Sequence, residues 1–361
     1  MPGMPSTIDA LKHAGEKIRI ARYHWLQNRL ARKVLRQIAS GRGKKAPAEI
    51  AKARAYAREV LGWSGYAPWL YVYTTLAGGF REGWLPDNYY GAVVVPRIQG
   101  AYGGTSHLKA LHPKLFNTQV FPDLAYRVGG RYFSGDHSVL GPGVLKELLF
   151  SKAEKVVFKA DHSFQGMGIR VLTKESFDIC APSLEKSGVF QAYIAQHPFF
   201  TAFSSDNVAS LRLTTVCTPT EGPSLRAAYL RLGRKGESHV RSASHIRVAV
   251  DPQSGALQPL GYLPSWVALK THPDSGTTFE GKIIPHFSDC VQTILALHGQ
   301  VPFVQCVGWD VVINSKGKVN VMEWNGAGND IKFSEATQGP CFTGLDWETL
   351  WRKTPQALIG S

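Results

Sequence analysis

Val307-Gly308-Trp309-Asp310-Val311-Val312-Ile313-Asn314-Ser315-Lys316-Gly317-Lys318-Val319-Asn320-Val321-Met322-Glu323-Trp324-Asn325 is the stretch on which the reading of the fold turns. Two β-branched runs flank an Asn-Ser-Lys-Gly turn, the pattern of an antiparallel hairpin. Symmetry about that turn places Ile313 opposite Lys318 and Asp310 opposite Val321, so Glu323 becomes a diagonal neighbour of Asp310 on the same face. Asn325, two residues on, projects the same way. Diagonal neighbours lie roughly 7 to 8 Å apart, a span that a hard cation between oxygen-bearing side chains can bridge. A bulge at Gly317 shifts the register by one. Buried carboxylates need a partner or a metal, and Mg²⁺ combines one or two carboxylates with phosphate oxygens and water. The alternative reading of Asp310 and Glu323 is two exposed acids beside a turn.

A second informative stretch is Phe158-Lys159-Ala160-Asp161-His162-Ser163-Phe164-Gln165-Gly166-Met167-Gly168-Ile169-Arg170-Val171-Leu172. A strand ends in a lysine, a small polar glycine loop follows, and another strand begins. Such a flap lays backbone N–H groups over phosphates while the lysine supplies a point charge; an ordinary turn is the simpler reading. Neither a G-x-x-x-x-G-K-[ST] loop nor a dinucleotide fingerprint occurs.

Outward from these stretches, short apolar runs such as Lys155–Lys159, Gly188–Ile194 and Leu211–Val216 read as strands, with a helix over Ser288–Leu297. The mixture predicts an α+β protein. Residues 62–110 are rich in Gly, Trp and Tyr without a clear period, and loops with short elements are expected there. From Thr7 to Ala39 apolar residues recur at three- and four-residue steps between Arg and Lys, the pattern of an amphipathic helix. Ser40–Gly43 breaks it, and a second helix is expected from about Ala48 to Leu61.

Charge is unevenly spread. The chain of 361 residues carries 41 Lys and Arg against 27 Asp and Glu, and residues 1–58 hold 14 of those bases against Asp9, Glu16 and Glu49. The bland reading is solvated charge on a domain surface. The sharper reading is an anionic partner for residues 7–58, an acidic lipid surface before nucleic acid, because no nucleic-acid-binding pattern is present. No run reaches the roughly 18 to 20 apolar residues of a membrane span. The N-terminus lacks a signal peptide's apolar stretch, so a cytoplasmic protein is expected, with peripheral attachment at the inner membrane face as an option. The five cysteines lie far apart, without zinc-site spacing, and read as reduced core thiols.

Read in order, Lys114 in His-Pro-Lys-Leu-Phe, the Lys159 flap, Gln191–Pro198, Ser210–Thr215, His272–Gly276, Gly308-Trp309-Asp310 and Glu323-Trp324-Asn325 resemble the ATP-grasp superfamily. The nearest branch is the sugar-transfer-associated ATP-grasp proteins, and the resemblance covers about residues 108–345. It implies an ATP-grasp fold of two α+β subdomains sandwiching ATP, with a basic helical N-terminal extension. The expected segments are 1–61 (extension), 62–110 (aromatic and Gly-rich region), 111–195 (flap subdomain), 196–345 (subdomain with the metal-binding hairpin) and 346–361 (tail).

That resemblance also implies roles. Lys114 and Lys159 contact phosphates, with Ser163, Gly166 and Gly168 in the flap. Gln191, Ala192, Tyr193 and Ile194 hydrogen-bond adenine through the backbone, and Gln196 is a candidate for the ribose. Asp310, Glu323 and Asn325 hold one or two Mg²⁺ ions, while Arg212 and Arg231, with Lys159, act on the transferred phosphoryl group or the acceptor carboxylate. The implied activity is an ATP- and Mg²⁺-dependent carboxylate–amine ligase working through an acyl phosphate, joining an amino acid or amine to an acidic sugar in polysaccharide or natural-product biosynthesis. A kinase on the same fold and a membrane-surface scaffold with a degenerate nucleotide site are the alternatives. The chain departs from the family pattern at Ala209-Ser210 and over Arg241–Arg247. The second departure is basic and hints at an anionic substrate; structural salt bridges explain it as well.

Overall fold

The computed structural model describes residues 7–42, 46–151, 153–163, 168–180 and 184–352, with residues 7–13 and 40–42 described as helical backbone only. The chain divides into two compact units. One combines residues 1–98 with 330–361, and the other spans residues 99–329. The expected segments 62–110 and 196–345 therefore each contribute to both units.

In the first unit, α1 (Thr7–Arg42) runs through the predicted break at Ser40 and Gly41. Helix α2 (Pro47–Glu59) starts on a proline whose missing N–H costs nothing in the first turn. Inside the region expected to be loops lies a further helix, α3 (Ala67–Ala77), ended by Gly78 in the left-handed conformation. Its Trp69, Leu70, Val72, Tyr73, Thr74 and Thr75 are all buried. A helix covered on nearly every side has no polar face, and hence no amphipathic period in its sequence. Glu335 pins this unit: its carboxylate accepts the N–H of Leu85 at 2.7 Å and of Cys341 at 2.8 Å, and its backbone oxygen accepts Trp84 Nε1 at 2.8 Å. Burial pushes its pKa up to about 7.

The second unit holds two antiparallel sheets. The first contains β1 (Asp123–Val128), β2 (Arg131–Ser134), β3 (Val139–Leu140), β4 (Lys155–Ala160), β5 (Ile169–Thr173) and β6 (Gly188–Ala192), in the order β3-β2-β1-β6-β4-β5. One of its faces packs Phe158 and Phe190 against Leu145 and Leu149 of α4 (Pro142–Phe150) and Phe177 of α5 (Lys174–Cys180). Strand alternation sends Val157, Lys159, Val189 and Gln191 to the other face.

The second sheet contains β7 (Ser210–Thr218), β8 (Gly222–Leu232), β9 (Ile246–Val250), β10 (Leu257–Tyr262), β11 (Ala268–Leu269), β12 (Cys306–Ile313) and β13 (Val319–Asn325), in the order β11-β10-β9-β8-β7-β12-β13. Val307, Trp309, Val311 and Ile313 point into a core shared with Cys290, Ile294 and Leu297 of α6 (Phe287–His298). Alternation turns Gly308 and Asp310 to the opposite face. No disulfide joins the five cysteines; Cys217, Cys290, Cys306 and Cys341 are buried and Cys180 is half-buried.

The hairpin register differs from the symmetric one. Ile313 faces Val319, and a bulge beside Asp310 puts it directly opposite Glu323, not Val321. One shift comes from the five-residue connection closed by Gly317 at φ 77°, where Asn314 N bonds Lys318 O, and the second from the bulge at Met322. Two one-residue shifts restore the parity. Asp310, Glu323 and, opposite Gly308, Asn325 therefore share a face, with the carboxylates closer than the diagonal reading had them.

Candidate active site

Behind the site face, on the core side of the second sheet, two tryptophans anchor the hairpin. Trp309 and Trp324 are register partners, fully buried and stacked at 6.3 Å, and Trp309 Nε1 donates to Thr215 Oγ1 at 2.8 Å. This anchor holds the adjacent Asp310 and Glu323 on rigid strands.

Asp310 is clamped. Arg212, its cross-strand partner on β7, donates Nε to Asp310 Oδ1 at 2.6 Å. Arg231 of β8 reaches the other oxygen, Oδ2, through Nη2 at 2.6 Å. Burial alone would raise the Asp310 pKa, but Arg212 and Arg231 more than reverse that, leaving it at about 2. Arg212 Nη1 also donates to Asn329 Oδ1 at 3.0 Å, and Asn329 Nδ2 to Thr214 Oγ1 at 3.0 Å. Gly308 makes room for this arrangement, since a Cβ there would overlap Asn329 Oδ1 and crowd Arg212 Nη1 at 3.0 Å.

Glu323 pairs with Lys109 at 3.3 Å. Lys109 is itself buried, and its N–H donates to Asp161 Oδ1 at 3.2 Å. Lys159, at the end of β4, approaches Met322 O with Nζ at 3.5 Å. Its pKa is lowered by burial, against the raising influence of Glu323 and Asp310. The two lysines and the two carboxylates, more than 140 residues apart in the chain, thus meet at one place. Four cations (Lys109, Lys159, Arg212, Arg231) converge on Asp310 and Glu323, with Asp123 and Asp161 acting on the two lysines from the side, and cations held at fixed positions in this way are suited to receive phosphate oxygens. Beside it, His107 and His162 stand 5.1 Å apart, and burial lowers the pKa of His107.

Gln191 Nε2 donates to Asp123 Oδ1 at 2.7 Å and to Met322 O at 3.2 Å, while its Oε1 is buried without a partner among the described residues. Asp123 also lines a cavity of about 590 Å³, with Ala192, Tyr193, Ile194, Phe121 and Asn320 among its walls. The Asp123–Gln191–Met322–Lys159 chain of contacts therefore joins the cavity to the cationic cluster.

Several expected residues are placed differently. Lys114 is exposed on the short helix His112–Phe116 and forms no ion pair among the described residues; Lys109, which the sequence reading passed over, is the lysine at Glu323. Gln196 has a structural task, donating to Ser204 O at 2.6 Å and accepting from Ala209 N at 2.8 Å, which ties both ends of its amide to the local backbone. Gln191 is a ladder residue between β4 and β1, and Ala192 N bonds Pro122 O at 2.8 Å, which leaves Tyr193 and Ile194 past the strand end as the backbone facing the cavity. In the flap, Ser163 Oγ donates to Ala160 O at 2.7 Å and Gly168 O accepts Ala160 N at 3.1 Å. Gly166 lies outside the described residues. Asn329 and Asp123 were also missed, because neither stands in a motif.

The donor set suits a hard cation only in company. Asn325 Nδ2 donates to Gly308 O at 3.1 Å, so its Oδ1 is the end that could ligate a cation, and Glu323 is 27% exposed. Asp310 is shared with two guanidinium groups, and no cluster of three or more His, Cys, Asp or Glu with metal-binding geometry occurs among the described residues. Oxygen ligands of this number fit Mg²⁺ that arrives with phosphate oxygens.

A family model described as "Sugar-transfer associated ATP-grasp" matches residues 145–345. No curated protein matches the chain. Among solved structures, a biotin carboxylase from Campylobacter jejuni in complex with an ATP analogue is similar at 11% identity and a TM-score of 0.44, over 89% of this chain and 68% of that one. The ADP complex of purK, an N5-carboxyaminoimidazole ribonucleotide synthetase, aligns at 10% identity and a TM-score of 0.38, over 72% of this chain and 52% of that one. The ATP-grasp ligase PsnB aligns at 11% identity and a TM-score of 0.38, over 71% and 64%. The chain thus spans about half the length of the purK protein.

Proposed function

This chain belongs to the sugar-transfer-associated ATP-grasp family, and on that premise we propose that it is an ATP- and Mg²⁺-dependent carboxylate–amine ligase. The observation that carries the reading is the convergence of Lys109, Lys159, Arg212 and Arg231 on Asp310 and Glu323 beside a cavity of about 590 Å³. A base fits the cavity, where Tyr193, Ile194 and Asn320 on its walls offer polar contacts. Lys109 and Lys159 then face the phosphates, and Glu323, Asn325 and Asp310 would hold Mg²⁺, which supplies charge neutralisation on the phosphate oxygens.

Phosphoryl transfer needs alignment and charge compensation more than a covalent catalyst. An acceptor carboxylate oxygen attacks the γ-phosphorus, the bond to the β,γ-bridging oxygen breaks, and ADP leaves. Lys159 offsets the charge on the transferring group, and Arg212 and Arg231, fixed by Asp310, present guanidinium donors on the acceptor side. An amine then forms the C–N bond at the acyl carbon, phosphate departs, and the amine's proton passes to solvent or base. Because acyl phosphates hydrolyse, the flap around Ser163 and Gly168 has the task of excluding water. An acidic sugar is the proposed carboxylate, an amino acid or amine the nucleophile, and the cytoplasm, where ATP is supplied, the compartment.

The test is a mass-spectrometric acceptor screen with ATP and Mg²⁺, pairing uronic acids with amino acids. A ligase releases ADP and phosphate in equal amounts only when carboxylate and amine are both present. A stable phosphorylated hydroxyl would make it a kinase, and no turnover with any pair would leave a scaffold.

No helix among the described residues is long and apolar enough to cross a membrane. Helix α1 offers a different membrane contact. Opposite its packed face of Ala31, Val34 and Ile38, it carries Arg22, Arg29, Arg32 and Arg36 with Ile18, 70% exposed, and Trp25, 57% exposed. Basic residues interleaved with exposed Trp and Ile suit an anionic bilayer surface. Sedimentation with phosphatidylglycerol vesicles is expected to fall at least fivefold in Trp25→Ser/Arg29→Ser; equal sedimentation of the two proteins would reject this contact.

A further inference from the structure

The polar face of the second sheet continues beyond the phosphoryl-transfer cluster. Strand β9 places Arg247 directly opposite Arg231, and β10 places Tyr262 opposite Arg247. Like charges facing each other across two strands repel. Strands β7 to β11 contain no Asp or Glu at all; Asp310 and Glu323 are the only carboxylates in the seven strands. Asp310 is engaged by Arg212 and Arg231, and Glu323 by Lys109. Strands β7, β8 and β9 therefore bring Arg212, Arg231 and Arg247 to this face and contribute no carboxylate to it.

Arg247 is only 7% exposed, and the loop after β10 is built around it. Leu263 O accepts its Nη2 at 3.5 Å, and the Trp266 ring lies 4.7 Å from its guanidinium carbon. Trp266 holds that position at φ 67°, a left-handed conformation that is strained for a bulky residue. The turn is locked by Trp266 N to Leu263 O at 2.8 Å and Leu263 N to Val267 O at 3.0 Å. A strained loop that fixes a buried guanidinium on a strand position in register with a second arginine is the construction expected of an oxyanion subsite, because planar, pre-oriented donors bind carboxylate and phosphate in pairs.

We propose that Arg231 and Arg247 form an anion subsite for the acceptor, one strand beyond the phosphoryl-transfer cluster, and that the acceptor is a sugar bearing a carboxylate or phosphate that docks there. This deepens, and rests on, the ligase reading above. The test is calorimetric titration of the protein saturated with Mg²⁺ and the non-hydrolysable analogue AMP-PNP, using glucuronate, glucose 1-phosphate and glucose. At least one anionic sugar is expected to bind tenfold or more tighter than glucose, and which one does so identifies the group. That preference is expected to disappear in Arg247→Gln and to fall to an intermediate value in Arg247→Lys, which keeps the charge but loses the planar fork. The Lys variant decides the matter should the Gln variant fail to fold. A wild-type protein that binds the nucleotide but shows no anionic preference, or an undiminished preference in both variants, would overturn the subsite alone. A wild-type protein that does not bind the nucleotide would instead overturn the ligase reading beneath it.

Discussion

Glu323→Gln is expected to lower ATP turnover by about 10²- to 10³-fold, the usual consequence of losing one electrostatic contact to a developing charge, with a loss of stability smaller than that of Asp310→Asn, because it takes the carboxylate from the single buried Lys109. Glu323 is the accessible carboxylate of the pair, and its partner Lys109 lies 3.3 Å away. Gln preserves the shape and the contact but removes the charge a cation would bind. Steady-state ADP release together with a thermal melt checks this. Turnover within threefold of the parent would remove Glu323 from the metal site.

Asp310→Asn has a larger and double effect. The hairpin read from sequence alone suggests that the fold survives either substitution unharmed, but Asp310 is buried between Arg212 and Arg231. Neutralising it strands two guanidinium groups without their carboxylate, which typically costs about 3 to 5 kcal/mol. The pH dependence follows from the depressed carboxyl. With a folded pKa of about 2 against 3.8, Asp310 contributes stability that is present above its unfolded pKa and is lost as pH falls toward 2. The stability gap between parent and Asp310→Asn should therefore be constant from about pH 5 upward and close on acidification. Denaturant titrations at several pH values measure it. A gap below about 1 kcal/mol at pH 7 would mean that the clamp contributes little more than an exposed ion pair.

Much of this was legible along the chain because strand alternation and residue chemistry are local. The hairpin, its three oxygen-bearing side chains and the Lys159 strand end all follow from period-two patterning. Register was not legible, since the connection around Gly317 and the bulge at Met322 depend on how β13 lies against its neighbours. That the two shifts cancel in parity is why the right residues were still paired on one face. Lys109 and Lys114 sit five residues apart with similar flanks, and only the packing of that segment buries the first and exposes the second. The Asp310 clamp required knowing that β12 lies beside β7 and β7 beside β8. Gln196 looked available because its consumption by Ser204 and Ala209 is a backbone matter that side-chain motifs do not record.

The most direct measurement is a crystal structure with Mg²⁺ and AMP-PNP. Phosphates in ion-pair contact with Lys109 and Lys159, the cation on Glu323 and Asn325, and the base in the cavity walled by Tyr193 and Ile194 are the predicted result. A triphosphate bound elsewhere, with the Lys109–Glu323 pair left as it is, would contradict the assignment.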